Sequence, residues 1–268
     1  MNIKPSVTIA VATYNTKEYL RIVLESITYQ TIKPIEVLIA DDGSYDGTRE
    51  MIEKMSKTYF CPLLFFTQED NGFRKVSIMN KTLAKSTGEY IVHIDGDVIL
   101  NKHFVEDHLY VAKEGYASTG SRAQTSEKLK DKLLQKGYFK LSPFTCGVSE
   151  KLNAFRSKFL MRRFLYTYKQ RKPYFARGCN MSFWKKDFLA VNGFNEDIKY
   201  IGTEDYEFFA RLLNKGIKKQ FIKFNAIQYH IYHKKRAIET HPDNLRILNE
   251  VIDDKLDWCK NGVDKYLK

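Results

Sequence analysis

Residues 91–99, IVHIDGDVI, place two carboxylates, Asp95 and Asp97, at the end of a run of isoleucines and valines, with only Gly96 between them. A short, mostly β-branched run of this kind reads as a strand buried on both faces of a parallel sheet. An ionised carboxylate at the edge of a core loses several kcal/mol of solvation unless a partner compensates. The pair therefore predicts a bound cation or a ligand rich in hydrogen-bond donors at the end of this strand.

Working outward, the same pattern recurs. SVTIAVAT (6–13), IEVLIAD (35–41), LLFFT (63–67) and EYIVHID (89–95) read as four buried strands. Helical segments separate them at 17–30, 48–57 and 74–86. The first carries Leu20, Val23, Leu24 and Ile27 at helical spacing, with Asn15 expected as its N-cap and Glu18 as the capping-box partner. Strand and helix in regular alternation predict a doubly wound, mostly parallel, Rossmann-like α/β sheet. Ligands bind such sheets beyond the carboxyl ends of the strands. Here those ends carry Thr13, Tyr14 and Asn15; Asp41, Asp42, Gly43 and Ser44; Gln68, Asp70, Asn71 and Gly72; and Asp95 with Asp97. Every end is polar and two carry paired aspartates.

Neither G-x-G-x-x-G nor G-x-x-x-x-G-K-[ST] occurs, so no glycine loop is available to hold phosphate by backbone amides. An acidic rim takes phosphate through a divalent cation, for which Asp95 and Asp97 are suitable oxygen ligands. A carboxylate such as Asp42 can accept from a base N–H or a ribose hydroxyl.

The formal charge of +12 is unevenly spread. Residues 1–120 hold 13 Lys/Arg against 16 Asp/Glu, whereas 121–268 hold 31 against 16, so the basic surface belongs to the second half. Residues 151–172, KLNAFRSKFLMRRFLYTYKQRK, contain eight Lys/Arg, five aromatics and no acid, and on a helical projection Lys151, Lys158, Arg162 and Lys169 share a face. Such a segment is suited to an anionic membrane surface or an acidic acceptor. There is no run of 18 apolar residues and no signal-peptide pattern, which predicts a cytoplasmic protein, peripheral at most at the inner face of the membrane. The four cysteines are widely spaced and suggest neither zinc ligation nor disulfides.

Taken together, VATYN, ADDGSYDGT (40–48), QEDNGFRKVSIMNKTLAKSTGEYIVHIDGDVI (68–99) and GCNMSFWKKDFLAVNGFNED followed by GTEDYEFFARL (178–212) resemble family 2 glycosyltransferases of the GT-A fold, with a galactosyltransferase-like second half. The likeness spans roughly residues 6–235. It implies one continuous GT-A domain, with a nucleotide-sugar half over 1–120 and an acceptor-binding, catalytic half over 121–268. On the donor side it implies Asp42 as the nucleobase contact, with Asp41, Thr13, Tyr14, Asn15, Glu18 and Asn71 around it. Arg74 matches a basic position near the donor phosphates or sugar, and Asn80 matches although Met79 replaces the arginine common beside it. Asp97 would hold the cation, and Asp95 with Gly96 would meet ribose or metal. Asp205 is implied as general base and Glu204 as acceptor ligand. His233, with His230 as second choice, is implied as the returning metal ligand. Mixed carboxylate and imidazole ligation suits Mn2+ better than Mg2+. Tyr200-Ile201-Gly202 departs from the Gly-Trp-Gly of many relatives.

The activity implied is inverting transfer of a hexose from a nucleotide sugar, UDP-linked, to a glycan or lipid-linked saccharide of surface polysaccharide or lipopolysaccharide. Alternatives are a dehalogenase-type phosphatase, whose D-x-D follows the first strand rather than the fourth, and a silent sugar-nucleotide binder, which needs neither Asp205 nor His233. A nucleic-acid-binding protein would leave the acidic rim without purpose and shows no recognition motif, so no nucleic-acid partner is expected.

Overall fold

The computed structural model describes residues 4–169, 171–234 and 241–267; Gln170 and Lys235, which belong to stretches read above, lie outside the described residues. The first half follows the expected alternation: β1 (Val7–Thr13), α1 (Lys17–Thr28), β2 (Glu36–Asp41), α2 (Thr48–Ser56), β3 (Leu63–Thr67), α3 (Lys75–Ala84) and β4 (Tyr90–Asp95). Then come β5 (Val98–Leu100), α4 (Phe104–Val111), β6 (Tyr116–Gly120), β7 (Ala123–Thr125), α5 (Glu127–Lys136), β8 (Val148–Ser149) and α6 (Lys158–Phe164). The chain continues through β9 (Met181–Trp184), α7 (Lys185–Ala190), α8 (Glu204–Asn214), β10 (Lys218–Ile222), β11 (Gln228–His230) and α9 (Pro242–Asp253).

A seven-stranded sheet has the order β10-β6-β9-β4-β1-β2-β3. β1 pairs in parallel with both β2 and β4, whereas β9 runs antiparallel to β4 and β6. The four strands read from the sequence thus form one side, and β9 and β10 from the second half extend the same sheet. The register pairs Ala12 with Asp95 and Thr13 with Asp41, which brings the polar ends of β1, β2 and β4 to one level. β1 and β2 are buried along their whole length, because helices cover both faces. A smaller four-stranded sheet, β5-β11-β7-β8, follows directly from the D-x-D, since β5 starts one residue after Asp97.

Two local expectations are corrected. Asn15 does not cap α1: it sits at φ +49 and accepts from the Tyr45 amide at 3.0 Å, tying the loop after β1 to the loop after β2. Thr16 is the N-cap, the Lys17 amide donates to Asp46 from that second loop at 2.8 Å, and Glu18 pairs with Arg21 rather than closing a box. Residues 151–172 are not one helix, so the shared basic face does not form. Arg156 is drawn inward to buried Asp107 at 2.6 Å, and Ser157 starts a new helix by accepting from the Leu160 amide.

α8 is anchored by a fully buried pair. The Arg211 guanidinium donates to both carboxylate oxygens of Glu207 at 2.8 Å and also to the Val191 carbonyl, while Asn195 donates to Glu207 at 3.1 Å. Side chains from the preceding loop thereby fix the axial position of the helix that carries Glu204 and Asp205. Arg211→Ala would leave Glu207 buried without its cation. The expected loss is about 3–5 kcal/mol, read by chemical denaturation; a loss under about 1 kcal/mol would refute the anchor.

Candidate active site

The strand ends open into a cleft of about 1460 Å3 lined by Thr13, Asp42, Lys75, Asp95 and Asp97 from the first half of the chain and by Arg177, Glu204, Asp205 and His233 from the second. Asp42 is 6% exposed; it accepts from the Gln68 amide group at 2.6 Å and from the Arg74 backbone N–H at 2.9 Å. Burial lifts its carboxyl above the usual carboxylate range, although those donors work against the rise. Gly43, at φ +92, lets this loop pass the chain at Asp70, where a Cβ would come within 2.6 Å of the Asp70 nitrogen.

At the end of β4, Asp95 accepts from the Lys75 ammonium at 2.8 Å, and the same ammonium lies 3.8 Å from Glu204. Burial disfavours the charge on Lys75, but the carboxylates of Asp95, Glu204 and Asp205 outweigh it and hold the pKa above the ordinary lysine value. The Gly96 amide donates to the Ala12 carbonyl at 2.7 Å, and a Cβ there would press on Thr13 Oγ1 at 3.0 Å, so the turn lies flat against β1.

Asp97 faces the imidazoles returned by β11 and the residues after it. Its Oδ2 is 3.4 Å from His230 Nε2 and 3.3 Å from His233 Nε2, and the two imidazole nitrogens are 3.3 Å apart. Burial would raise the Asp97 carboxyl, but the two histidines hold it well below the usual range; the same contact raises His233. Asp97 Oδ1 is buried without a hydrogen-bond partner, and one donor atom from each of the three residues lies within 4.8 Å of the others. Two imidazoles and a carboxylate with a free lone pair fit a divalent transition ion of the manganese or zinc type.

On the opposite wall, Asp205 accepts from the Gly178 amide at 2.9 Å and from the Tyr206 amide at 3.0 Å. Burial first, and then the neighbouring Glu204 charge, push the Asp205 carboxyl well above the carboxylate range, against those two donors. Thr203, at φ +75, begins α8 without a side-chain cap, which leaves the first turn open towards the cleft. Glu204 Oε2 is buried with no partner.

Thr13, Tyr14, Asn15, Asp42, Asp95, Gly96, Asp97, Glu204, Asp205 and His233 all line this cleft, and His230 stands behind His233 on Asp97. Others are engaged elsewhere. Asp41 is 1% exposed and accepts from the Ser44 amide and from Thr67, so it holds the turn after β2. Asn80 is buried and bonds to the Phe194 backbone and Glu196. Arg74 turns its guanidinium to the Glu69 carbonyl, Asn71 is exposed, and Glu18 stays on the surface of α1. Trp184 packs edge-on against Tyr90 and donates to the Lys113 carbonyl, and His93 is buried against Phe194. Sequence reasoning missed Lys75, Arg122 and Arg177. Lys75 adjoins Arg74 in RKVSIMN, but a helix start does not reveal which of two adjacent bases turns inward.

The mixed α/β fold with its large, mostly parallel sheet is the GT-A fold, and solved structures share it. S. aureus TarS 1-349 in complex with UDP-GlcNAc superposes with a TM-score of 0.67 at 15% identity, over 97% of this chain and 69% of that one. Mannosyltransferase PcManGT from Pyrobaculum calidifontis, in complex with GDP-Man and Mn2+, gives 0.62 at 18% identity, over 94% and 70%. The family described as "Glycosyl transferase family 2" matches residues 8–188, and "N-terminal domain of galactosyltransferase" matches residues 160–234. The chain belongs to glycosyl transferase family 2. It is 27% identical to chondroitin synthase of Escherichia coli over 236 residues, 83% of this chain and 34% of that protein. The chain spans less than half the length of the curated relatives it matches.

Asp97→Ala would remove the shared acceptor of both imidazoles. Mn2+ affinity measured by calorimetry is expected to fall at least about tenfold, in line with losing one ligand of three; unchanged affinity would move the ion elsewhere.

Proposed function

We propose that this chain is an inverting, metal-dependent hexosyltransferase that uses a UDP-linked sugar and extends a glycan or a lipid-linked saccharide of a bacterial-type surface polysaccharide. The observation that carries this is the convergence, in one cleft, of the Asp97–His230–His233 cluster with the Glu204–Asp205 pair. The phosphatase alternative needs a nucleophilic first aspartate in the D-x-D, whereas Asp95 is held by Lys75.

Each wall then has a chemical task. Asp42, with both oxygens already accepting, is oriented to take a further donor such as the imide N–H of uracil, and Thr13 and Tyr14 flank it. Asp97, His230 and His233 would hold Mn2+, which when bound offsets the charge that builds on a departing diphosphate. Asp205 accepts the proton of the acceptor hydroxyl as that oxygen attacks the anomeric carbon from the face opposite the diphosphate. A positioned carboxylate contributes roughly 10²- to 10⁴-fold in this role. Its raised pKa brings its basicity nearer to neutral pH, and the Gly178 and Tyr206 amides fix its direction. Lys75 pairs with Asp95 and stands near Glu204, which lowers the negative charge that the donor's phosphates would meet in this cleft.

Asp205→Asn is expected to lower kcat by at least about 10²-fold while UDP binding in the presence of Mn2+ survives; strong residual transfer would refute the base. Because the base must be ionised, activity falls as pH drops through its raised pKa. Glu204→Gln removes the like charge that contributes to that rise, so the acid limb of kcat/KM should move to lower pH in whatever activity remains.

Peripheral docking on the inner face of the membrane belongs to the same proposal. No helix among the described residues is long and apolar enough to cross a membrane. Phe144, Leu152, Phe155 and Phe159 are exposed on or beside the basic stretch, 87% for Phe144 and 79% for Phe159. Arg163, Arg171 and Lys172 are exposed in the same stretch. Apolar side chains beside bases suit an anionic lipid surface, at about 1 kcal/mol per base. Flotation with phosphatidylglycerol vesicles should exceed that with neutral vesicles, and Phe159→Ser should reduce it. Equal flotation on both would remove the membrane from the account.

A further inference from the structure

Beside Asp205 lies a group of cations that the transfer chemistry described above does not use. Phe175 carries two of them: the Lys169 ammonium stands 3.6 Å from its ring centre and the Arg177 guanidinium 5.7 Å. Lys219, 7% exposed, donates to the carbonyls of Lys172 at 2.6 Å and Phe175 at 3.3 Å. Lys223, 9% exposed, donates to Asn153 and lies 5.4 Å from the ring of Tyr168, which in turn packs on Phe221. Among the described residues none of these four cations forms an ion pair with a carboxylate. Glu150 is the acid that Lys223 feels, and its carboxylate is engaged by Asn153 at 2.6 Å.

Gathering like charges at partly buried positions without counter-charge is costly, because burial weakens solvation while the charges repel. The titration of the group follows from this. Burial, together with the Lys169 charge, lowers Lys219 to about 8, and burial with the Arg177 and Lys169 charges lowers Lys223. Burial and the Arg177 and Lys172 charges lower Lys169 in turn. An anion placed among them would relieve the repulsion, and two oxygens spaced as in phosphate or carboxylate match the fork of Arg177.

The position identifies which molecule brings the anion. Phe175 and Arg177 line the cleft, the amide of the next residue, Gly178, donates to Asp205, and Phe175 packs against Tyr206 at 5.9 Å between ring centres. We propose that Lys169, Arg177, Lys219 and Lys223 form a subsite for an anionic group, phosphate or carboxylate, carried by the acceptor next to the hydroxyl that Asp205 deprotonates. This rests on Asp205 marking the acceptor side. The acceptor is then an acidic saccharide or a saccharide phosphate, and the family motifs themselves do not specify that property.

The test uses the whole chain without Mn2+, titrated calorimetrically with inorganic phosphate and, in a second arm, with glucuronate. At least one is expected to bind, with affinity reduced about tenfold or more in Arg177→Gln and in Lys169→Gln, the loss of a charge-assisted hydrogen bond. Lys57→Gln, an exposed base at the end of α2, should leave it unchanged. Stronger binding of phosphate assigns a phosphorylated acceptor, and stronger binding of glucuronate a uronic acid. Binding of neither, or equal binding by wild type and both cleft variants, overturns the subsite. UDP with Mn2+ is titrated into the same proteins as a separate readout. If it fails to bind wild type while phosphate or glucuronate behaves as expected, the donor assignment falls and the anion subsite stands.

Discussion

Lys75 leaves the first turn of α3 with its ammonium 2.8 Å from Asp95 and 3.8 Å from Glu204, so a single partly buried cation joins the acid at the end of β4 to the acid at the start of α8. Without it, Asp95, Glu204 and Asp205 would face one another across a partly buried cleft, and their repulsion would oppose closure of the two walls. The contact also explains how a rim with so many carboxylates can admit a diphosphate. One acid is neutralised by lysine, and Asp97 is turned towards two imidazoles. Glu204 and Asp205 then remain side by side, and burial together with the Glu204 charge raises the Asp205 carboxyl.

The rest of the scaffold serves to hold these few groups in place. β1, β2 and β4 present their ends at one level because their registers bring Ala12, Thr13, Asp41 and Asp95 together. The hairpin-like return of β11 beside β5 pairs His230 with Val98, one residue beyond Asp97, and this places both imidazoles over that carboxylate. The Glu207–Arg211 pair then sets α8 against the segment around Val191 and Asn195, so that the helix start meets the Gly178 amide. Charge is arranged across the cleft as well. Lys75 stands among Asp95, Glu204 and Asp205, whereas Lys169, Arg177, Lys219 and Lys223 gather near Phe175 with no ion pair among the described residues.

Much of this was legible in the residues. The four strands of the first half lie within a residue of where apolar β-branched runs put them, because a strand buried on both faces leaves no other use for such runs. Seven of the proposed site residues (Thr13, Tyr14, Asn15, Asp42, Asp95, Gly96 and Asp97) reach one cleft because they stand at or just after the carboxyl ends of β1, β2 and β4, where the crevice opens. Residues whose neighbours come from distant sequence were harder to read. Asp41 and Asp42 are adjacent and chemically identical, but the pleat sends one into the turn and the other into the cleft. Asn80 matched a family position, yet its amide is spent on Phe194 and Glu196. The basic stretch 151–172 looked continuous in charge, but buried Asp107, supplied by α4, pulls Arg156 inward and interrupts it.

By itself the sequence determined the alternation of strand and helix, the polar rim and the asymmetry of charge between the halves, since each follows from local composition and the period of the chain. Only the tertiary structure decided that β9 enters antiparallel between β4 and β6, that Lys75 rather than Arg74 faces the carboxylates, and that four bases cluster near Phe175 with no ion pair among the described residues. The physical reason is the same for all three. Pairing, burial and electrostatic neutralisation depend on distances between residues far apart in the chain, and a linear pattern holds no record of those distances.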